Sequence, residues 1–159
     1  DRNIYVFSNL KEDPSIDTLK PKLKRVKIDA SLYEDPIPIE EFRDSCLVFD
    51  DCDCISDRKI KNAIMDILNQ ALEVGRHWNC SVLITFHLPS DRQATRKMLN
   101  ECAYFVYFPQ SCSSKIKYVL QNYIDLDEKM IKYFKKLNTR SVCIRKIFPN
   151  ATSLNTRWD

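Results

Sequence analysis

A chain of 159 residues with 44% hydrophobic and 30% charged side chains has the size and balance of an ordinary globular domain, able to bury about two-thirds of its unfolded surface. That balance excludes disordered and collagen-like chains, and no apolar run approaches the roughly 20 residues of a membrane-spanning helix. The net charge of +3 conceals an acidic beginning and a basic remainder: residues 1–57 carry 8 Lys or Arg against 14 Asp or Glu, and residues 58–159 carry 17 against 8.

Basic asymmetry of this kind fits either an anionic partner or a solvated face. Seven cysteines are an odd number scattered along the chain, which favours free thiols in a reducing compartment. The one glycine, Gly75, excludes any function that needs a glycine-rich loop within these residues. The sequence opens on Asp1, so a piece of a longer protein is expected. Without repeats or a linker, residues 1–159 read as a single domain, with sheet and helices over 1–137 and a C-terminal strand or hairpin extension over 138–159.

In chain order, residues 4–8 (IYVFS) form a β-branched and aromatic run that reads as a short buried strand. Residues 25–29 (RVKID) alternate and suit another strand. The proline-containing stretch 35–39 is expected to be extended, because each proline pushes its predecessor out of the helical region. Residues 46–49 (CLVF) make an apolar strand that runs directly into Asp50 and Asp51. After it, Ser56 is placed to cap a helix whose Ile60, Ala63, Ile64, Ile67, Leu68, Ala71 and Leu72 follow helical spacing, with Gly75 as its stop.

Residues 80–86 (CSVLITF) predict a further buried strand, 91–100 a short helix and 103–108 (AYFVYF) a strand. Two helices follow over 113–123 and 127–137, then a strand over 141–147 that could fold back through Pro149 and Asn150. Buried strands alternating with amphipathic helices imply an α/β fold, a mostly parallel sheet covered by helices on both faces. Ligands of such sheets bind beyond the carboxyl ends of the strands.

Adjacent carboxylates at that edge repel each other and call for a cation or hydrogen-bond donors. Asp50 and Asp51 are therefore candidates for a metal-nucleotide site, with solvated turn residues as the plain alternative. The strand of residues 80–86 belongs beside the Asp-bearing one, so that His87 or Thr85 emerges near Asp50. Cys52 and Cys54 with His77 or His87 lack the paired spacing of a zinc site. Arg76 near a helix end equally suits complementing the helix dipole.

The segments VFDD, GRHWNCSVLITFHLP and RKMLNECAYFVYFPQ resemble the genome-packaging ATPases of nucleocytoplasmic large DNA viruses, in the FtsK/HerA-like branch of P-loop ATPases. The resemblance runs from the first strand to about Ile147. It implies a RecA-like P-loop NTPase core, here without its P-loop strand, in which ATP and Mg²⁺ are the cofactors. By that resemblance Asp50 is the Walker B aspartate that holds Mg²⁺ through water, and Asp51 polarises the attacking water. His87 occupies the sensor position, and Arg76 is a candidate arginine finger acting on a neighbouring subunit's nucleotide.

The implied function is an ATP-driven motor subunit that translocates double-stranded DNA into a capsid. Its expected partners are non-specific duplex DNA, copies of itself in a homo-oligomeric ring, and capsid or portal-vertex proteins; its expected location is the virion or host cytoplasm. Nothing in the sequence matches GxxxxGK[ST], so this chain alone is not expected to bind ATP normally. A catalytically degenerate P-loop-like protein with a structural or partner-binding role is the alternative. A response-regulator-like fold is disfavoured, because it needs its acidic pair on the first strand and a phospho-acceptor carboxylate on the third, whereas the pair here ends a later strand.

Overall fold

Apolar runs bounded by polar residues supply the strands, and the computed structural model describes residues 2–18, 22–86, 92–109, 115–146 and 152–154. These fall into two compact units, residues 1–89 and 90–159.

The first unit is built on β1 (Asn3–Ser8), β2 (Leu23–Arg25), β3 (Ser45–Asp50) and β4 (Ser81–Thr85), arranged in the order β2-β1-β3-β4 with every pair parallel. This is the α/β architecture that the alternating pattern predicts. Parallel neighbours require crossovers. They are supplied by the short helices α1 (Pro14–Asp17) and α2 (Ser31–Glu34), a 3₁₀ turn over Ile39–Phe42, and the long helix α3 (Arg58–Val74).

Register puts Tyr5, Phe7, Leu47 and Phe49 on one face of the sheet. Phe7 and Phe49 stack with ring centroids 4.7 Å apart, and Phe42 meets Tyr5 and Phe7 edge-on. The helix α3 lies beside α2 and the turn carrying Phe42, and its Ile64, Ile67, Leu68 and Ala71 are buried, as the helical spacing requires. On the other face Val6 and Val48 are buried, whereas Leu83 of β4 is 56% exposed. Among the described residues the outer edge of β4 pairs with no strand.

Several local expectations move. The second strand forms at Leu23–Arg25, earlier than the alternation suggested, and of the stretch 35–39 Pro38 is extended, at φ −68° and ψ 148°, whereas Ile39 already opens the 3₁₀ turn. Asp57, not Ser56, caps α3: its Oδ1 accepts from the N–H groups of Lys59 and Ile60 at 2.8 and 3.0 Å. A carboxylate there also complements the positive end of the helix dipole. Gly75 caps the end of α3 as expected, with φ −56°, an ordinary helical value, and opens a 3₁₀ turn over Gly75–Trp78. The left-handed residue is Asn79, at φ 55°, which ends that turn.

The second unit contains α4 (Arg92–Glu101), β5 (Tyr104–Tyr107), α5 (Lys115–Asn122), α6 (Glu128–Lys136), β6 (Val142–Arg145) and β7 (Thr152–Leu154). Its three strands pair antiparallel in the order β5-β6-β7. The parallel arrangement therefore holds only for the first sheet. Two helices joined by a short connection reverse the chain once more than a single crossover helix does, which sends β6 back against β5. Tyr107, Leu120, Ile124, Leu126, Ile131, Phe134, Val142 and Ile144 form this unit's core. Lys146 Nζ donates to the carbonyl of Leu99 at 2.6 Å near the end of α4.

Candidate functional site

The register of the first sheet brings three polar residues level: Ser8 ends β1, Asp50 ends β3 and Thr85 ends β4. Each of these strands is apolar through its middle and polar at its carboxyl end, so the three polar side chains lie level there. Ser8 Oγ donates to Asp50 Oδ2 and Thr85 Oγ1 donates to Asp50 Oδ1, both at 2.9 Å.

Both hydroxyls are themselves oriented by backbone amides. The N–H of Leu10 donates to Ser8 Oγ at 3.2 Å, and the N–H of Asp51 donates to Thr85 Oγ1 at 3.1 Å. An accepting lone pair is thus occupied on each hydroxyl, and its proton is directed to the carboxylate. Thr85 Oγ1 also lies 3.1 Å from Asp51 Oδ1, so Asp50 and Asp51 share the reach of one hydroxyl. Asp51 has φ 48° and ψ 34°, a left-handed conformation that aspartate tolerates better than most residues.

Two carboxylates this close repel unless cations or donors offset them. No described Lys or Arg forms an ion pair with Asp50. The donor set is two carboxylates with hydroxyls behind them, and among the described residues no group of three or more His, Cys, Asp or Glu could cage a metal. That set fits Mg²⁺, which keeps most of its waters and uses one or two carboxylates along with substrate phosphates. It does not fit a closed structural site.

Next to the carboxylates, Cys52 is buried and its thiol donates to the carbonyl of Phe7 at 3.2 Å. Burial first, then the neighbouring negative charge of Asp50, pushes the thiol up to about 12. Cys54 is exposed. His77 lies in the 3₁₀ turn before β4 and is exposed.

Arg76 occupies the same turn and is also exposed. It precedes β4, whereas Thr85 closes it, so about 16 Å of strand rise separates Arg76 from the line of polar residues. The fold does not bring Arg76 to Asp50 within one chain. His87 lies outside the described residues, and the side chain of β4 that reaches Asp50 is Thr85. Ser8 escaped the sequence reading, although the signal was available: a hydroxyl residue closing a strand beside the one that ends in aspartate.

A relative from Sputnik virophage, named uncharacterized protein V3, is 35% identical to this chain over 148 residues, covering 92% of the chain and 59% of V3. The chain therefore spans less than two-thirds of the length of that relative. No family model matches the chain. No solved structure matches it.

Proposed function

We propose that the chain is the Walker B and sensor part of a RecA-like ATPase, a motor subunit that moves double-stranded viral DNA into a capsid. One observation carries this reading: adjacent carboxylates at the carboxyl end of a parallel strand, with a hydroxyl from each flanking strand on the first of them. Similarity to a virophage protein is consistent with a viral role. The outer edge of β4, which pairs with no described strand, suits the strand order of such a core. There the P-loop strand would join, supplied by sequence outside these 159 residues.

In this reading ATP with Mg²⁺ supplies the phosphoanhydride bond whose hydrolysis drives movement. Asp50, held between Ser8 and Thr85, would hold the ion through its waters. Asp51 accepts a hydrogen bond from the attacking water and positions it for in-line attack. Thr85 couples the two aspartates to β4, with His87 two residues beyond. Arg76 lies at the far end of the strand, so its finger role operates between subunits of a homo-oligomeric ring, with duplex DNA as the translocated partner.

The test is ATP turnover by the whole protein, measured with and without duplex DNA. DNA-stimulated hydrolysis that drops on the order of 100-fold in Asp51→Asn, with nucleotide binding retained, supports the motor. Turnover by Asp51→Asn equal to that of the unaltered protein overturns the assignment. The single glycine favours a second reading, a degenerate protein that has lost catalysis. Failure of the whole protein to bind ATP would select it.

A further inference from the structure

The two hydroxyls that hold Asp50 differ in what sets their own direction. Thr85 Oγ1 accepts from the amide of Asp51, the residue next to Asp50, at 3.1 Å, so that side of the carboxylate is ordered within the site. Ser8 Oγ accepts from the amide of Leu10 at 3.2 Å, and Leu10 lies in the connection between β1 and α1. Its side chain is 56% exposed and supplies little packing to hold the residue still. The direction of the Ser8 proton therefore depends on whatever fixes Leu10.

Arg25 fixes it. Register places Arg25 of β2 level with Val6, two residues before Ser8, and so on the sheet face that Ser8 shares. Its Nη1 donates to the carbonyl of Leu10 at 3.0 Å, while Nε and Nη2 donate to Asp17 Oδ1 at 3.2 and 2.8 Å. The other oxygen of Asp17 accepts from the amide of Asp13 at 2.9 Å, which ties the cap of α1 to its last residue. A planar guanidinium with three donors engaged has one orientation, and the side chains of Arg25 and Asp17 are only 21% and 19% exposed. Leu10 is thus held on both sides, its carbonyl by Arg25 and its amide on Ser8.

We propose that Arg25 is a positioning residue for Asp50, acting through Leu10 and Ser8 from two strands away. The inference rests on the reading of Asp50 as the carboxylate that holds Mg²⁺ through water. Such a carboxylate has to keep its lone pairs aimed, and a turn about its last bond displaces both oxygens. Thr85 restrains one oxygen and Ser8 the other. Without Arg25 the Leu10 backbone is free to turn, Ser8 Oγ loses the amide that occupies its lone pair, and its proton can swing away from Asp50.

The experiment measures the affinity of the whole protein for a fluorescent, non-hydrolysable ATP analogue in excess Mg²⁺ and again in EDTA. The ratio of the two reads what the ion contributes at the site. Ser8→Ala should reduce that ratio about tenfold, the lower end for loss of a group that orients a metal ligand, and Arg25→Gln should reproduce most of the loss. Binding in EDTA should be unchanged in both. The double variant should lose no more than Ser8→Ala alone, because the two residues act in series. Arg25→Lys, which can reach the Leu10 carbonyl but cannot also grip Asp17 with two bonds, should recover part of the ratio. Circular dichroism melting checks that each variant is folded at the temperature of measurement. Should Arg25→Gln not fold, Asp17→Asn, which loosens the guanidinium, takes its place in the cycle.

A ratio lowered in Ser8→Ala but unchanged in Arg25→Gln assigns Arg25 to its connection alone and overturns the inference. Losses that multiply in the double variant overturn it in favour of an independent route. Equal weakening in Mg²⁺ and in EDTA overturns it in favour of a general distortion. Each of these results leaves Asp50 standing as the metal carboxylate. An unaltered protein that binds no analogue, or gains nothing from Mg²⁺, removes that reading itself, and the inference falls with it.

Discussion

Thr85 and Asp50 close neighbouring strands at the same register, and the Thr85 hydroxyl is bonded to Asp50 Oδ1 at 2.9 Å while accepting from the Asp51 amide at 3.1 Å. One side chain thereby fixes both the carboxylate and the left-handed backbone that follows it. Thr85→Val removes both bonds while keeping the shape. It should cost about 1 kcal/mol in urea unfolding, the lower end of the range because the site is partly open to water. Thr85→Ser should restore most of it. Unchanged stability in Thr85→Val would mean that solvent replaces the hydroxyl without loss.

Arg76 gives a prediction that separates action within a chain from action between chains. If the protein forms the proposed ring, mixtures of Arg76→Ala and Asp51→Asn subunits would let an intact arginine on one subunit serve intact aspartates on its neighbour, so some ATP turnover should return. Homogeneous rings of Arg76→Ala should be nearly inactive. Near-normal turnover there would assign Arg76 to its turn alone, with a stability loss of about 0.3 to 1 kcal/mol.

Cys52 should resist alkylation in the folded protein, whereas Cys54, on the surface two residues later, should react. With the Cys52 thiol raised from 9.0 to about 12 by burial, the unfolded chain releases its proton first as pH rises. The contribution of this group to stability is therefore intact below about pH 9 and declines as pH climbs toward 12. Chemical unfolding at pH 8 and pH 10, compared between the unaltered protein and Cys52→Ala, reads that difference. A pH dependence unaffected by Cys52→Ala would contradict it.

Asp125 has φ 59° and is exposed. A side chain in the left-handed region strains the backbone, and glycine adopts it freely. Asp125→Gly should raise stability by a few tenths of a kcal/mol, and Asp125→Val should lower it by about 1 kcal/mol or more. Thermal melting of the two variants in opposite directions would verify the conformational origin.

Legibility in the sequence followed burial. The run before Asp50 had to be a central strand, since four consecutive apolar residues leave no side for water, and α3 announced itself through its period. Direction was hidden: alternation in β5 reports two faces but says nothing of whether β6 runs with it or against it. Ser8 was hidden because a serine after an apolar run looks like the start of a loop until register sets it beside Asp50. Gly75 does close α3, but without the left-handed conformation that glycine usually supplies at such a stop. Here Asp44, Asp51, Asn79 and Asp125 take that conformation, the residues whose short polar side chains best tolerate it.

The edge strand β4 has a consequence for handling the chain by itself. Its sequence, SVLIT, contains neither a charge nor a proline, and Leu83 stands open to solvent. Among the described residues no strand pairs with its outer edge, and such a strand recruits others through unpaired amides and carbonyls and an oily side chain at once. Concentrated solutions of the isolated chain should cloud with time through edge-to-edge stacking. A lysine in place of Leu83 would act as a gatekeeper and keep such solutions clear.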